Sequence, residues 1–149
     1  YKNTDATIEP ARLQLQDALV SDGNSARLAA AAEYMIDDYF SGLLQQKAAL
    51  RCLKGYYVLV EFSFINLPFD WKQVFFDMQI QGYQPVLAHP ERYPYLFQKN
   101  TILDEILDMG VLLQVNLNSL TGYYGKAILQ QAQVLAANGI VSFLGSDLH

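Results

Sequence analysis

Hydrophobic and polar residues along this chain follow two patterns, one typical of buried strands and one typical of helices. Short apolar runs, several of them rich in β-branched residues, predict strands at residues 27–34, 56–62, 84–89, 111–116 and 140–144. Longer segments with apolar residues every three or four positions predict helices at residues 10–20, 36–53, 71–81, 102–109 and 126–137. Strands that alternate with helices in this way indicate an α/β domain with a parallel sheet covered by helices.

The boundaries of these elements carry local signals that support the pattern. Asp37 and Asp38 are interpreted as residues that begin a helix, because aspartate caps free backbone N–H groups. Gly82 and Gly110 each follow a predicted helix, as expected for a residue that tolerates the left-handed conformation. No linker rich in Gly, Ser or Pro divides the chain, so we expect one domain over residues 1–149.

Polar residues follow the predicted strands at a nearly constant interval. Glu33 and Glu61 are 28 residues apart, Glu61 and His89 are also 28 apart, and Asp147 follows His89 by 58 residues, or two intervals of 29. The skipped interval ends at two asparagines, Asn116 and Asn118. Since the carboxyl ends of parallel strands meet at one edge, these side chains are predicted to share the edge where α/β proteins bind ligands.

The residue types at this edge are those of a hydrolytic metal site. Glu33, Glu61 and Asp147 offer carboxylate oxygens, and His89 and His149 offer imidazole nitrogens. Asp147 and His149 are two residues apart, so they project to one side of an extended segment. Crowded carboxylates repel one another unless cations neutralise them. The pattern therefore predicts a multinuclear Mn²⁺, Fe²⁺ or Zn²⁺ centre.

Each candidate also has an ordinary structural interpretation. Glu33 fits a surface glutamate that opens a helix, His89 a strand-end histidine with satisfied hydrogen bonds, and Asp147 the cap of a turn. Arg92, three residues after His89, is either a clamp for an oxyanion or an ion-pair partner of Glu91 or another acid. The shared register of five residues at one edge favours the functional interpretation.

Composition and charge exclude several classes of function. Ten Lys and Arg against 15 Asp and Glu give a net charge of −5, the wrong sign for a nucleic-acid binder. The single cysteine, Cys52, excludes an internal disulfide, and Val58 stands where a Cys-x5-Arg phosphatase needs arginine. Glycine-rich nucleotide motifs are absent. We expect a cytoplasmic protein without direct membrane insertion.

The sequence resembles the bacterial PHP-type protein-tyrosine phosphatases of capsule and exopolysaccharide clusters. Four segments carry the resemblance: AAEYM at 31–35, YVLVEFS at 57–63, PVLAHPERY at 85–93 and GSDLH at 145–149. The His-Pro-Glu-Arg-Tyr block together with the terminal Ser-Asp-x-His is the most specific part. The resemblance extends over essentially the whole chain.

The resemblance implies a distorted, TIM-like PHP barrel of about seven βα units with up to three metal ions, usually Mn²⁺, at its carboxyl face. In that arrangement Glu33 would bridge two metals, and Glu61 and His89 would complete the second site. Asp147 would belong to the first site and His149 to the third. Either Asp147 or His149 would serve as the catalytic proton donor.

The activity implied by the resemblance is manganese-dependent hydrolysis of phosphotyrosine on a cognate tyrosine autokinase, which regulates capsule synthesis. Arg92 would bind the substrate phosphate. Candidates for contacting the peptide are Tyr123, Tyr124 and residues 92–96. Two alternatives stay open: a PHP phosphoesterase of a small phosphorylated metabolite, and a non-catalytic remnant that binds a metal or a partner.

The chain departs from the family pattern at both ends. The family's His-x-His strand, its next histidine strand, its last helix and a second phosphate-binding arginine have no counterpart here. We therefore expect a partial domain, namely an incomplete barrel that lacks the first strands and the last helix. Residues 1–149 alone would not complete the first or the third metal site.

Overall fold

A computed structural model describes residues 4–98 and 100–147 of the chain. Its five strands form one sheet in sequential order, and every neighbouring pair is parallel. The strands are β1 (Glu33–Met35), β2 (Tyr57–Glu61), β3 (Gln84–Ala88), β4 (Leu112–Asn116) and β5 (Phe143–Gly145). The predicted α/β domain with a parallel sheet is confirmed.

Helices precede the sheet and connect its successive strands. They are α1 (Asp5–Ser21), α2 (Asp38–Gln45), α3 (Trp71–Ile80), α4 (Pro94–Gln98), α5 (Asn100–Asp108), α6 (Leu117–Leu120) and α7 (Lys126–Ala137), with a 3₁₀ turn at Pro90–Arg92. The helices predicted at 71–81, 102–109 and 126–137 are confirmed within two residues at each end. None of the helices in the described part of the chain has the length and hydrophobicity of a transmembrane span.

The main core lies between the sheet and its helices. Val58 and Val60 of β2 are fully buried and belong to the same cluster as Phe75 and Met78 of α3. Because side chains alternate along a strand, Leu59 points to the opposite face. The sheet therefore has one face packed against helices and a second face that borders the cavity described below.

The strand predicted at residues 27–34 is wrong for residues 27–32, which lie outside the sheet. Only its last two residues belong to β1. The backbone of residues 27–32 bonds instead with long side chains from elsewhere. Gln16 of α1 accepts a hydrogen bond from the Leu28 N–H at 2.8 Å, and Arg51 donates to the Ala30 carbonyl at 3.3 Å. These partners satisfy backbone groups that a sheet ladder would otherwise have to satisfy.

The predicted helix at 36–53 is too long, since α2 covers only Asp38–Gln45. Asp37 caps its first turn as predicted, accepting a hydrogen bond from the Phe40 N–H at 2.9 Å. The helix stops because Lys47 has a left-handed backbone, with φ of 52°. The first helix is longer than predicted and begins at Asp5.

Candidate metal and phosphate site

Three of the predicted ligands meet at the carboxyl edge of the sheet. Glu61 ends β2 and His89 follows β3 directly, as predicted, whereas Glu33 begins the three-residue strand β1 and does not follow a strand. The parallel register pairs Met35 with Glu61, which aligns β1 with the end of β2. One ligand atom from each of Glu33, Glu61 and His89 lies within 4.8 Å of the others. The structure thus brings these three residues together, and their role as metal ligands stays a prediction.

The His89 imidazole is at the centre of this cluster. Its Nε2 lies 3.2 Å from Glu33 Oε1 and 3.6 Å from Glu61 Oε2. The residue is 3% exposed, and its Nδ1 has no hydrogen-bond partner within the part of the chain that the structure describes. Its backbone is left-handed, with φ of 35°, a conformation that costs energy for a residue other than glycine. With this backbone the ring reaches the carboxylates of Glu33 and Glu61.

The Glu61 carboxyl shows why the cluster suits a cation. Its pKa is raised, chiefly because burial disfavours the charged form and secondly because the Glu33 carboxylate lies close by. A divalent cation would oppose both effects. Two carboxylates and one imidazole are donors that Zn²⁺, Mn²⁺ and Fe²⁺ accept. The residues present therefore fit a divalent metal ion.

Asp147 lies at the same edge but contacts a different set of residues. Its Oδ2 accepts hydrogen bonds from Arg92 Nη1 at 2.8 Å and from Asn116 Nδ2 at 3.0 Å. Its charge also contributes to the raised pKa of Glu61, which places it within electrostatic range of the three-residue cluster. His149, the other predicted terminal ligand, lies outside the described residues.

Arg92 pairs with Asp147 and not with Glu91, the residue next to it in the sequence. Glu91 is fully buried, and its Oε1 accepts hydrogen bonds from the Asn116 N–H at 3.0 Å and from Ser119 Oγ at 2.6 Å. It therefore ties the 3₁₀ turn that carries Arg92 to the end of β4. The alternative of an ion pair with Glu91 or another acid is therefore confirmed, with Asp147 as the acid.

Two aromatic rings enclose the Arg92 guanidinium. Its Cζ lies 4.6 Å from the ring centroid of Phe64 and 4.6 Å from that of Tyr124. The Phe64 ring also stacks on His89 with centroids 5.6 Å apart. Such cation–π contacts hold a guanidinium by its faces and leave its edge N–H groups directed at planar or tetrahedral oxyanions. The arrangement is suited to binding a phosphate beside the carboxylate–imidazole cluster.

Sequence reasoning missed Phe64 and interpreted Tyr124 as a loop anchor and as a candidate for peptide contact, not as a partner of Arg92. The one signal for Phe64 was its position three residues after Glu61, at the same strand end. Neither contact with Arg92 follows from spacing, because residues 64, 92 and 124 come from three separate connections.

Asn116 occupies the point that the repeat interval predicted. It is fully buried at the end of β4, where its Oδ1 accepts a hydrogen bond from Gln114 Nε2 at 2.8 Å. This bond directs its Nδ2 towards Asp147. Gly145 of β5 makes the arrangement possible, because a Cβ atom there would collide with the Gln114 amide.

A cavity of about 210 Å³ lies next to these side chains. Leu59, Val86 and Phe143 line its apolar part, on the sheet face opposite the helix-packed core. Glu33 and Asp147 are among its polar lining residues. The site is therefore a polar rim on an otherwise apolar pocket, a common arrangement for binding sites.

A family model described as "Capsular polysaccharide synthesis, CpsB/CapC" matches residues 1–149, the whole chain. The chain belongs to the CpsB/CapC family. The resemblance noted from the sequence motifs is thereby confirmed. Among relatives of this CpsB/CapC chain, the tyrosine-protein phosphatase YwqE of Bacillus subtilis is 30% identical over 149 residues, which are 100% of this chain and 59% of YwqE.

Further relatives of the CpsB/CapC chain agree with this assignment. The tyrosine-protein phosphatase CpsB of Streptococcus agalactiae serotype V is 29% identical over 101 residues, 62% of this chain and 40% of CpsB. A chain from the crystal structures of YwqE from Bacillus subtilis and CpsB from Streptococcus pneumoniae, described as unique metal-dependent tyrosine phosphatases, matches with a TM-score of 0.87 and 30% identity. The match covers 100% of this chain and 60% of that one. The chain thus spans less than two thirds of these relatives.

Proposed function

We propose that this CpsB/CapC family member is a metal-dependent protein-tyrosine phosphatase. The observation that carries the proposal is the meeting of Glu33, Glu61 and His89 beside an arginine enclosed by aromatic rings. A metal cluster next to a phosphate-binding cation is what hydrolysis of a phosphoric monoester needs. The names of the relatives, which are tyrosine-protein phosphatases, support the same activity.

The proposed metal is Mn²⁺, with Fe²⁺ or Zn²⁺ as alternatives and up to three ions in an intact site. Glu33, Glu61 and His89 would hold one ion, and Asp147 and His149 would extend the centre. When bound, the metal would lower the pKa of a coordinated water and offset negative charge on the phosphoryl group. The donor types and the raised pKa of Glu61 support this assignment.

Arg92 is the proposed phosphate ligand. A guanidinium offers several N–H donors in a plane that matches two oxygens of a phosphate. The rings of Phe64 and Tyr124 restrict its orientation, so less freedom is lost when the phosphate binds. Its hydrogen bond to Asp147 places the guanidinium at the edge of the sheet before any substrate arrives.

The leaving group sets how much acid catalysis the site must supply. A tyrosine phenol has a pKa of about 10, so its phenolate leaves more readily than an alkoxide. The demand for proton donation is correspondingly small. Asp147 and His149 are the proposed donors, and Asp147 lies within hydrogen-bond distance of the proposed phosphate ligand Arg92.

The strand order supports the proposal that the intact fold is a PHP barrel. Each of the five strands lies beside its predecessor in the sequence, and all are parallel. Barrels of βα units are built in this sequential way, whereas doubly wound sheets reverse their strand order. In the proposed barrel, further strands would complete the sheet next to β1 and β5.

The proposed substrate is a phosphotyrosine protein, specifically a cognate bacterial tyrosine autokinase that acts in capsule synthesis in the cytoplasm. The family description, capsular polysaccharide synthesis, supports this biological setting. The net charge of −5 supports a protein partner over nucleic acid.

Phosphate release from a phosphotyrosine peptide tests the proposal. The protein is assayed with its native flanking residues, and the 149-residue chain is assayed alongside, each with added Mn²⁺ and with a chelator. We expect release by the longer protein that the chelator abolishes. Faster release from a sugar phosphate than from the peptide would favour a small-molecule phosphoesterase. No release from either substrate would favour a non-catalytic remnant and contradict the proposal.

A further inference from the structure

The loop between β2 and α3 exposes large apolar side chains beside the site. We name residues 62–69, with the sequence FSFINLPF, the apolar loop; it contains no charged residue. Ile65 is 89% exposed and Phe69 fully exposed. Exposed side chains of this size leave apolar area in water, and exposed apolar area next to a binding site is typical of an interaction surface.

The base of the apolar loop is held firmly although its tip is exposed. The Phe62 N–H donates to the Tyr93 hydroxyl at 3.0 Å, and the Tyr95 hydroxyl donates to the Ser63 carbonyl at 2.7 Å. Tyr93 directly follows the turn that carries Arg92, and Tyr95 lies two residues further on, in α4. The exposure of Ile65 therefore belongs to a loop whose base is tied to the phosphate-binding segment.

The apolar loop lies at the carboxyl edge of the sheet. It leaves β2 after Glu61 and ends at the start of α3, and helices that follow parallel strands begin at that edge. Phe64 contacts both the guanidinium of Arg92 and the ring of His89. Ile65 is thus one residue away from a side chain that touches both parts of the site.

We propose that the apolar loop binds apolar side chains next to the phosphotyrosine of the substrate protein. This inference rests on the proposed function. With the phosphate on Arg92, the tyrosine ring lies beside Phe64. Neighbouring residues of an extended peptide lie about 3.5 Å apart along the chain, so the residues that flank the tyrosine would extend over the loop that carries Ile65 and Phe69. The loop carries no charge and is followed directly by Asp70, so its surface favours apolar neighbours over acidic ones.

A pair of double variants tests this inference in the protein with its native flanking residues. The test variant is Ile65→Ser with Phe69→Ser. The matched control is Ile80→Ser with Phe76→Ser, because these α3 side chains are 65% and 53% exposed outside the apolar loop. Both are compared on a phosphotyrosine peptide with leucine on each side of the tyrosine and on p-nitrophenyl phosphate, which has no flanking residues.

We expect the test variant to lose about tenfold in kcat/KM on the peptide, mainly through KM, since two apolar contacts are removed. Its kcat/KM on p-nitrophenyl phosphate should equal that of the unsubstituted protein, and the control should change neither value. A peptide with serine on each side of the tyrosine should show the same loss on the unsubstituted protein. Binding of the fluorescein-labelled leucine peptide, followed by anisotropy, should weaken by the same factor.

Several results would overturn the inference. An unchanged peptide kcat/KM in the test variant would show that the loop does not read the flanking residues. Equal losses on both substrates would assign the loop to supporting the catalytic centre. Light scattering that shows loss of a dimer in the test variant, with unchanged peptide kinetics, would assign the loop to a second copy of the chain. An unsubstituted protein that hydrolyses neither substrate would refute the proposed function itself, and the inference with it.

Discussion

Arg51 and Arg92 have side chains that are equally exposed, at 20%, yet their surroundings differ in kind. Arg51 donates to Asp5 and Glu9 of α1 and to the Ala30 carbonyl, so each of its guanidinium nitrogens has an acceptor. Arg92 is enclosed by two rings, and Asp147 is its one hydrogen-bond acceptor among residues 4–98 and 100–147. An arginine whose guanidinium nitrogens all have acceptors joins structural elements. An arginine packed between aromatic rings keeps N–H donors available for a ligand.

The largest expected effect comes from breaking the cluster next to Arg92. His89→Ala removes the imidazole between the two glutamates, and we expect turnover of a phosphotyrosine peptide to fall about a thousandfold or more. The thermal unfolding of the variant should remain cooperative, measured by circular dichroism. Turnover within a few-fold of the unsubstituted protein would remove His89 from the centre, and Glu61→Gln provides an independent check.

The next effect separates the two arginines directly. Arg92→Ala should lower kcat/KM about a hundredfold, because a charged phosphate contact is lost, with little change in melting temperature. Arg51→Ala should instead lower the melting temperature by about 3 °C and leave kcat/KM per folded molecule unchanged. Both variants are measured by steady-state kinetics and by calorimetry. If the two profiles were exchanged, the distinction between a binding and a structural arginine would be wrong.

A smaller effect should come from the rings that hold Arg92. Tyr124→Leu keeps apolar volume but loses the cation–π contact, which contributes about 1 kcal/mol, or about a fivefold change in binding. We expect KM for the phosphotyrosine peptide to rise about fivefold while kcat stays the same. Tyr123→Leu is the control, because Tyr123 is 76% exposed and its neighbour carries the contact. Equal changes in the two variants would argue against a specific role for Tyr124.

The smallest effect concerns pH and the contacts around Arg51. Hydrogen bonds from Arg12 and then from Arg51 lower the pKa of Glu9 from 4.5 to about 2. A lowered carboxyl pKa stabilises the fold fully above the unfolded pKa of 4.5, and this stabilisation disappears as pH falls through about 2. The difference in urea stability between Glu9→Gln and the unsubstituted chain should therefore be present at pH 7 and vanish near pH 2. A difference independent of pH would contradict the assignment.

Strands β2 to β4 and helices α3, α5 and α7 were predictable from local sequence pattern alone. The run YVLVE of β2 combines tyrosine with two valines, which favour a strand, and α3 and α7 combine helical spacing with a glycine shortly after their ends. Residues 27–32 were not predictable, because their partners Gln16 and Arg51 lie far away in the sequence. The length of α2 was overestimated for a related reason, since one left-handed residue, Lys47, ends it.

In the candidate site, too, some residues were predictable from the sequence and others were not. Spacing placed Glu33, Glu61 and His89 at one edge because parallel βα units repeat with a nearly constant length. It also marked Asn116 as the residue of the skipped unit. The enclosure of Arg92 by Phe64 and Tyr124 had no comparable signal, since each ring comes from a different connection.

The sequence by itself determined the α/β class, the positions of the central strands along the chain and three of the residues that meet at the carboxyl edge. It could do so because apolar runs, helix caps and repeat length are local properties of the chain. Only the tertiary structure decided which acid pairs with Arg92, which rings enclose it and which apolar side chains stay exposed beside it. Those contacts join connections that are distant in sequence, and packing in three dimensions selects among the possible partners.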